Sequence, residues 1–168
     1  MISVVVCTRQ PPGDSTHADC VAATIQCAYE YIRFDNRANT VGICGAYNRA
    51  AQKARGDVIV FMHDDVFFLE PGWGAKIEEK FARNQELGLV GLAGTQYLLA
   101  QCAGWVAAGR PFIQGKVLHE MDNGKKYILC VYSWLQEDVE VVAIDGLFMA
   151  LRRSLFPAIG FDEALFDG

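Results

Sequence analysis

The chain reads as an α/β protein with a mixed, mostly parallel sheet flanked by helices. Three observations carry that reading. Ile2-Ser3-Val4-Val5-Val6-Cys7 is a nearly continuous β-branched run, as expected for a strand buried on both faces. Helix-like and strand-like patterns then alternate through the first half, an order that requires a parallel sheet with right-handed crossovers. Finally, Asp57-Val58-Ile59-Val60-Phe61-Met62-His63-Asp64-Asp65-Val66 sets an apolar strand directly before a histidine and two carboxylates.

The elements follow in order. Thr8-Arg9-Gln10-Pro11-Pro12-Gly13 ends the first strand with turn chemistry. Ala18 to Tyr31 has helical spacing, and Tyr31 to Phe34 is a short strand ending at Asp35-Asn36-Arg37. Ile43 to Arg55 reads as a helix stopped by Gly56. Val58 to Met62 is the next strand, and Pro71 suits the first turn of a helix running to Asn84. Leu87 to Leu92 is another buried strand. Between Gly94 and Gly124, glycines and Pro111 predict a long irregular excursion. Lys126 to Trp134, Val139 to Ile144 and Leu147 to Leu151 close the chain as strands, able to add antiparallel pairs at one edge. No repeat or linker divides the sequence, which predicts a single domain over 1–168.

Composition narrows the function classes. A chain of 168 residues can bury about two-thirds of its unfolded surface. With 52% hydrophobic and 21% charged residues it has the make-up of a globular protein. The net charge of -5 and the lack of a basic run argue against nucleic acid as a partner. No integral membrane segment or leader is expected, and the six cysteines contain no Cys-x-x-Cys pair. Reduced thiols and a cytoplasmic location are the expectation.

The chemistry-bearing residues cluster at predicted strand ends. Thr8 and Arg9 follow the first strand, Asp35 and Asn36 the second, and His63, Asp64 and Asp65 the third. In open α/β sheets ligands bind at the carboxyl ends of strands. Adjacent carboxylates repel unless a cation or donor sits beside them, and Mg2+ or Mn2+ shares such oxygens with phosphates. Thr8 can donate or accept, Arg9 offers a fork to phosphate, and Asp35 can accept an N–H from a base. The blander reading makes these residues strand ends, turns and helix caps. His17 and His119 have no evident partner and read as surface histidines. Arg152 and Arg153 read as solvated charges. Trp73, Trp105 and Trp134 read as core or interface residues, with Trp105 also able to lie over an acceptor sugar.

The order of five segments resembles the inverting family 2 glycosyltransferases. These are the run from Ile2 to Thr8, Phe34-Asp35-Asn36, the stretch from Ala46 to Asp57, Phe61-Met62-His63-Asp64-Asp65, and Val142 to Arg153 with Gly160-Phe161-Asp162-Glu163. The resemblance implies a GT-A (nucleotide-diphospho-sugar transferase-like) fold, with a nucleotide-binding half over 1–93 and an acceptor-side half over 94–168. It implies a nucleotide-diphosphate sugar donor, a glycan or other hydroxyl acceptor, and Mn2+ or Mg2+. Asp35 would contact the base, with Thr8, Arg9, Asn36, Asn48 and Asp64 around the donor. Asp65 would bind metal, and His63 stands where the motif's first aspartate is expected. The family's carboxylate base lies in an acidic motif after Gly-Phe-Asp-Glu. This sequence stops at Phe166-Asp167-Gly168, so a truncated acceptor half is expected, with Asp145, Asp162 and Asp167 as candidate bases.

The alternative is a catalytically silent sugar-nucleotide-binding or interaction domain. A phosphoacceptor receiver domain fits less well, because Thr8-Arg9 stand where an early acidic pair is required. Exposed edge strands leave room for a homodimer.

Overall fold

The computed structural model describes residues 1–100, 104–135 and 137–166. In chain order the elements are β1 (Ile2–Thr8), α1 (Thr16–Thr24), β2 (Tyr29–Asp35), α2 (Ile43–Ala51), β3 (Val58–His63), α3 (Trp73–Arg83), β4 (Leu89–Gly91) and β5 (Ala93–Thr95). There follow β6 (Ile113–Met121), β7 (Lys126–Val131), β8 (Ala143–Ile144), β9 (Phe148–Arg152), α4 (Phe156–Ile159) and α5 (Glu163–Phe166). The fold is mixed α/β, and the chain divides into two compact units, Met1–Val90 with Gly146–Gly168, and Gly91–Asp145. Among the described residues no helix is long and apolar enough to cross a membrane.

The first unit is built on a sheet of order β2-β1-β3-β9-β4. β1 pairs parallel to β2 and β3, while β9 runs antiparallel to β3. Strand side chains alternate between faces, so both faces need cover. Ile2, Val4, Val6, Val58, Val60 and Met62 pack with Val21 of α1, with Ile25 just after it, and with Trp73, Ile77 and Phe81 of α3. Val5, Ile59 and Phe61 pack on the other face, with Tyr47, Ala50 and Ala51 of α2. The β-branched run at the start of the sequence is therefore a central strand covered twice.

Several boundaries differ from the sequence expectation, each for a local reason. α1 ends at Thr24 rather than Tyr31, because Gln26 takes a left-handed conformation (φ 54). Ile2 N–H then donates to Ala28 O (3.0 Å), and Tyr29 onward is drawn into pairing with β1. α2 ends at Ala51, where Lys53 and Ala54 N–H donate back to Ala50 and Ala51 O in tighter turns. Pro71 precedes α3 instead of opening it, and Gly72 at φ +92 supplies the turn into the helix.

Arg152 is not a solvated charge. Its guanidinium donates to the carbonyls of Leu87 (2.8 Å), Phe81 (2.6 Å) and Asn84 (2.6 Å), and lies over the Phe81 ring. It thereby caps the carboxyl end of α3, where carbonyls lack helical partners. Arg153 donates to Gly56 O at 2.6 Å. Glu30, half-buried, accepts from Ser3 Oγ (2.7 Å) and from Arg55. Burial opposes its charge, but these donors prevail and hold its carboxyl down at about 2.

The second unit holds a sheet of order β7-β6-β5-β8, with antiparallel pairing throughout the described registers. The predicted excursion between Gly94 and Gly124 therefore contains a nine-residue strand. Gly115, which read as a loop signal, lies inside β6 at φ +116. A Cβ there would sit 2.6 Å from Leu92 O, so the glycine permits a close crossing of backbones. Trp73 is in the first unit's core, whereas Trp134 is 75% exposed.

Candidate functional site

Parallel pairing fixes where the strand ends fall. Thr8 of β1 is in register with Asp35 of β2, and Cys7 is in register with His63 of β3. The carboxyl ends of three neighbouring strands thus share one edge, the usual ligand-binding edge of an α/β sheet. A cavity of about 440 Å³ opens there, lined by Cys7, Thr8, Arg9, Gln10, Asn36, Asn39, Val41, Gly42, Ile43 and Asp64.

Hydrogen bonds tie its walls together. The buried Thr8 hydroxyl donates to Asp64 Oδ2 and accepts from Gln10 N–H (3.0 Å), linking β1 to the turn after β3. Asn36 N–H donates to Thr8 O (2.9 Å), and its buried amide donates to Val41 O (2.7 Å), closing the loop between β2 and α2. His63 N–H donates to Leu147 O (3.1 Å), and Val66 N–H donates to His63 O (3.3 Å), shaping the acidic turn. Burial pushes the Cys7 thiol up, although Asn36 counters it. Arg9 is exposed on the cavity rim.

Thr8, Arg9, Asn36 and Asp64 therefore meet around one cavity. His63 ends β3 and Asp65 lies on the adjoining turn, with Nδ1 and Oδ1 4.0 Å apart and side chains 48% and 83% exposed. Asp35 is at the same edge, but Arg37 grips its carboxylate at 2.8–3.0 Å and holds it below the usual carboxylate range. Asn48 is engaged elsewhere. Its amide donates to Phe161 O and Glu163 Oε1 (both 2.8 Å) and accepts from Phe161 N–H (3.0 Å). It lines a second cavity of about 510 Å³ with Gln52, Arg153, Phe156 and Glu163.

The candidate bases are dispersed. Asp145 belongs to the second unit, where Trp105 Nε1 donates to its Oδ2 at 2.5 Å. Asp162 Oδ1 accepts from the N–H groups of Ala164 (3.0 Å) and Leu165 (3.2 Å), capping α5. Asp167 lies outside the described residues.

Sequence reasoning missed the loop wall from Asn39 to Ile43, although its Asn-Thr-Val-Gly composition is a turn signal. It also misplaced His17, which is buried rather than on the surface. His17 Nδ1 lies 2.8 Å from the Tyr31 hydroxyl, and its ring meets Phe67 edge-on. Its Nε2 is buried and, among the described residues, has no hydrogen-bond partner. Burial lowers its pKa although Asp64 and Asp65 pull the other way. On the opposite face of the sheet the Tyr47 hydroxyl is also buried with no partner among the described residues, and burial raises its pKa.

No curated protein matched the chain. A sequence model of the family described as "Glycosyltransferase like family" matches residues 16–168, taking in the acidic turn, all but the first strand, and the whole second unit. With that match and a mixed α/β fold of GT-A type, the chain belongs to the glycosyltransferase-like family.

Proposed function

We propose that the chain binds a nucleotide-diphosphate sugar in the 440 Å³ cavity and transfers the sugar, with inversion, to a hydroxyl acceptor. The observation that supports this most is the convergence of Thr8, Arg9, Asn36 and Asp64 at the carboxyl ends of parallel strands, in a chain whose family is glycosyltransferase-like. Arg9 suits the diphosphate, Asp64 a ribose hydroxyl, and Asp35 a base N–H once Arg37 shares or releases it. In transfer, the acceptor oxygen bonds to the anomeric carbon from the side opposite the departing phosphate oxygen. The acceptor proton passes to a carboxylate.

His63 and Asp65 are the proposed cation ligands. Among the described residues no group of three or more His, Cys, Asp or Glu side chains could cage a metal. An imidazole and a carboxylate 4.0 Å apart suit instead a cation shared with substrate phosphates, as Mn2+ or Mg2+ often is. When bound, such an ion would offset charge on the leaving diphosphate.

A second reading, donor binding without efficient transfer, is favoured by the hydrogen bonds of Asp145 and Asp162. Calorimetric titration with UDP and GDP, with and without Mn2+, tests the shared premise. Binding by one of them should be strengthened by Mn2+ and weakened about tenfold or more by Asp64→Asn. No binding under any condition would remove the reading. Donor hydrolysis or transfer by the chain would exclude the silent alternative.

A further inference from the structure

The β6–β7 hairpin carries apolar side chains on an open face. In its register Lys116 faces Val131, Leu118 faces Leu129, and Glu120 faces Tyr127, so these six share one face. Leu118, Tyr127 and Leu129 are 43%, 58% and 61% exposed. Among the described residues neither Lys116 nor Glu120 is in an ion pair. β5 pairs with β6 only as far as Gly115, so beyond it the sheet is two strands wide; two strands with uncovered faces are marginal in water, and a cover is expected.

The charges on the face identify the cover. Lys116 and Glu120 lie two residues to either side of Leu118, about 7 Å along the strand in each direction. Consider a second copy laid face to face across a two-fold axis that runs across the strands at the Leu118–Leu129 pair. Leu118 then meets its own equivalent, as does Leu129, and Tyr127 meets Val131. Lys116 of each copy meets Glu120 of the other, and the two side chains together can span the ~10 Å between packed sheets. The opposite face lacks this self-complementarity, since its Lys126 is already bridged to Asp122 at 2.9 Å. Pairing along the β7 edge would leave Leu118, Tyr127 and Leu129 in water.

We infer that the chain forms an isologous homodimer through the Lys116, Leu118, Glu120, Tyr127, Leu129 and Val131 face of its hairpin. Six side chains per copy put the interface at or below ~1,000 Å², the range of weak complexes. Sedimentation equilibrium should therefore show a concentration-dependent monomer–dimer equilibrium approaching completion only above about 100 µM chain. Lys116→Glu should raise the dissociation constant about tenfold or more by setting like charges against one another. The double swap Lys116→Glu with Glu120→Lys should return it to within about threefold of the starting value, which also excludes misfolding as the cause. A chain that stays monomeric at every concentration overturns the proposal. So does a dimer indifferent to Lys116→Glu, which would point to the β7 edge or another surface, and so does a double swap that fails to restore association.

Discussion

The central strands of the first unit and the hairpin of the second use similar residues to opposite ends. Val4, Val5, Val6, Ile59 and Val60 are all fully buried, with helices on both faces of their sheet. Tyr127, Ile128 and Leu129 are equally suited to strands, yet each is more than half exposed. Hydrophobic residues do not fix burial by themselves; the layers available to cover them do. The first region has its cover within the same unit, while the second offers a face that needs one from outside.

The strongest challenge to this contrast is a pair of truncations. Phe61 is 1% exposed and packs against Tyr47, Phe156 and Phe161. Phe61→Ala should lower unfolding stability by roughly 3–5 kcal/mol in a denaturant titration. Ile128→Ala, at a side chain 52% exposed, should change it by less than about 0.5 kcal/mol. Equal losses would dissolve the distinction.

Acid provides a second, intermediate test, since the groups with shifted protonation that govern it lie in the first unit. His17 is kept neutral by burial, with its pKa below 6.5. The unfolded chain takes up that proton first, so stability is complete above pH 6.5 and falls as pH drops toward the folded-state value. Glu30 adds a lower leg. Its carboxyl sits at about 2 against 4.5 unfolded, so its contribution is full above pH 4.5 and is lost as pH falls toward 2. Equilibrium unfolding across that range should show both legs, and Glu30→Gln should shrink only the lower, to which Asp14 and Asp35, also held below their usual range, add. An unchanged profile would mean that the Ser3 and Arg55 contacts do not hold the charge.

The smallest expected effect concerns Tyr47. Its hydroxyl is buried without a partner among the described residues, so Tyr47→Phe should be neutral or stabilise by up to about 1 kcal/mol. A clear loss of stability would reveal a bond to the hydroxyl.

The same contrast explains what the sequence made legible. β1 and β3 were readable because strands buried on both faces leave an unbroken apolar signal, and the carboxyl-edge cluster followed from their being parallel. β6 was not readable, since its glycine marks a backbone crossing that only the fold reveals. Burial of His17 depends on Tyr31 and Phe67, which are distant or uninformative in sequence. The grip of Arg37 on Asp35 is a two-residue contact the sequence permitted but did not single out. Asn48 was placed beside the donor by resemblance, whereas its amide is spent on a segment more than 100 residues away.

The position of β1 has a bearing on synthesis. β1 is synthesised before both of the strands it sits between, β2 and β3, which span residues 29–35 and 58–63. Translation must therefore supply some sixty residues before that greasy segment has neighbours on either side, and β9 arrives far later still. During that interval the nascent chain displays its stickiest stretch to solvent, a demand that falls on whatever chaperone meets it.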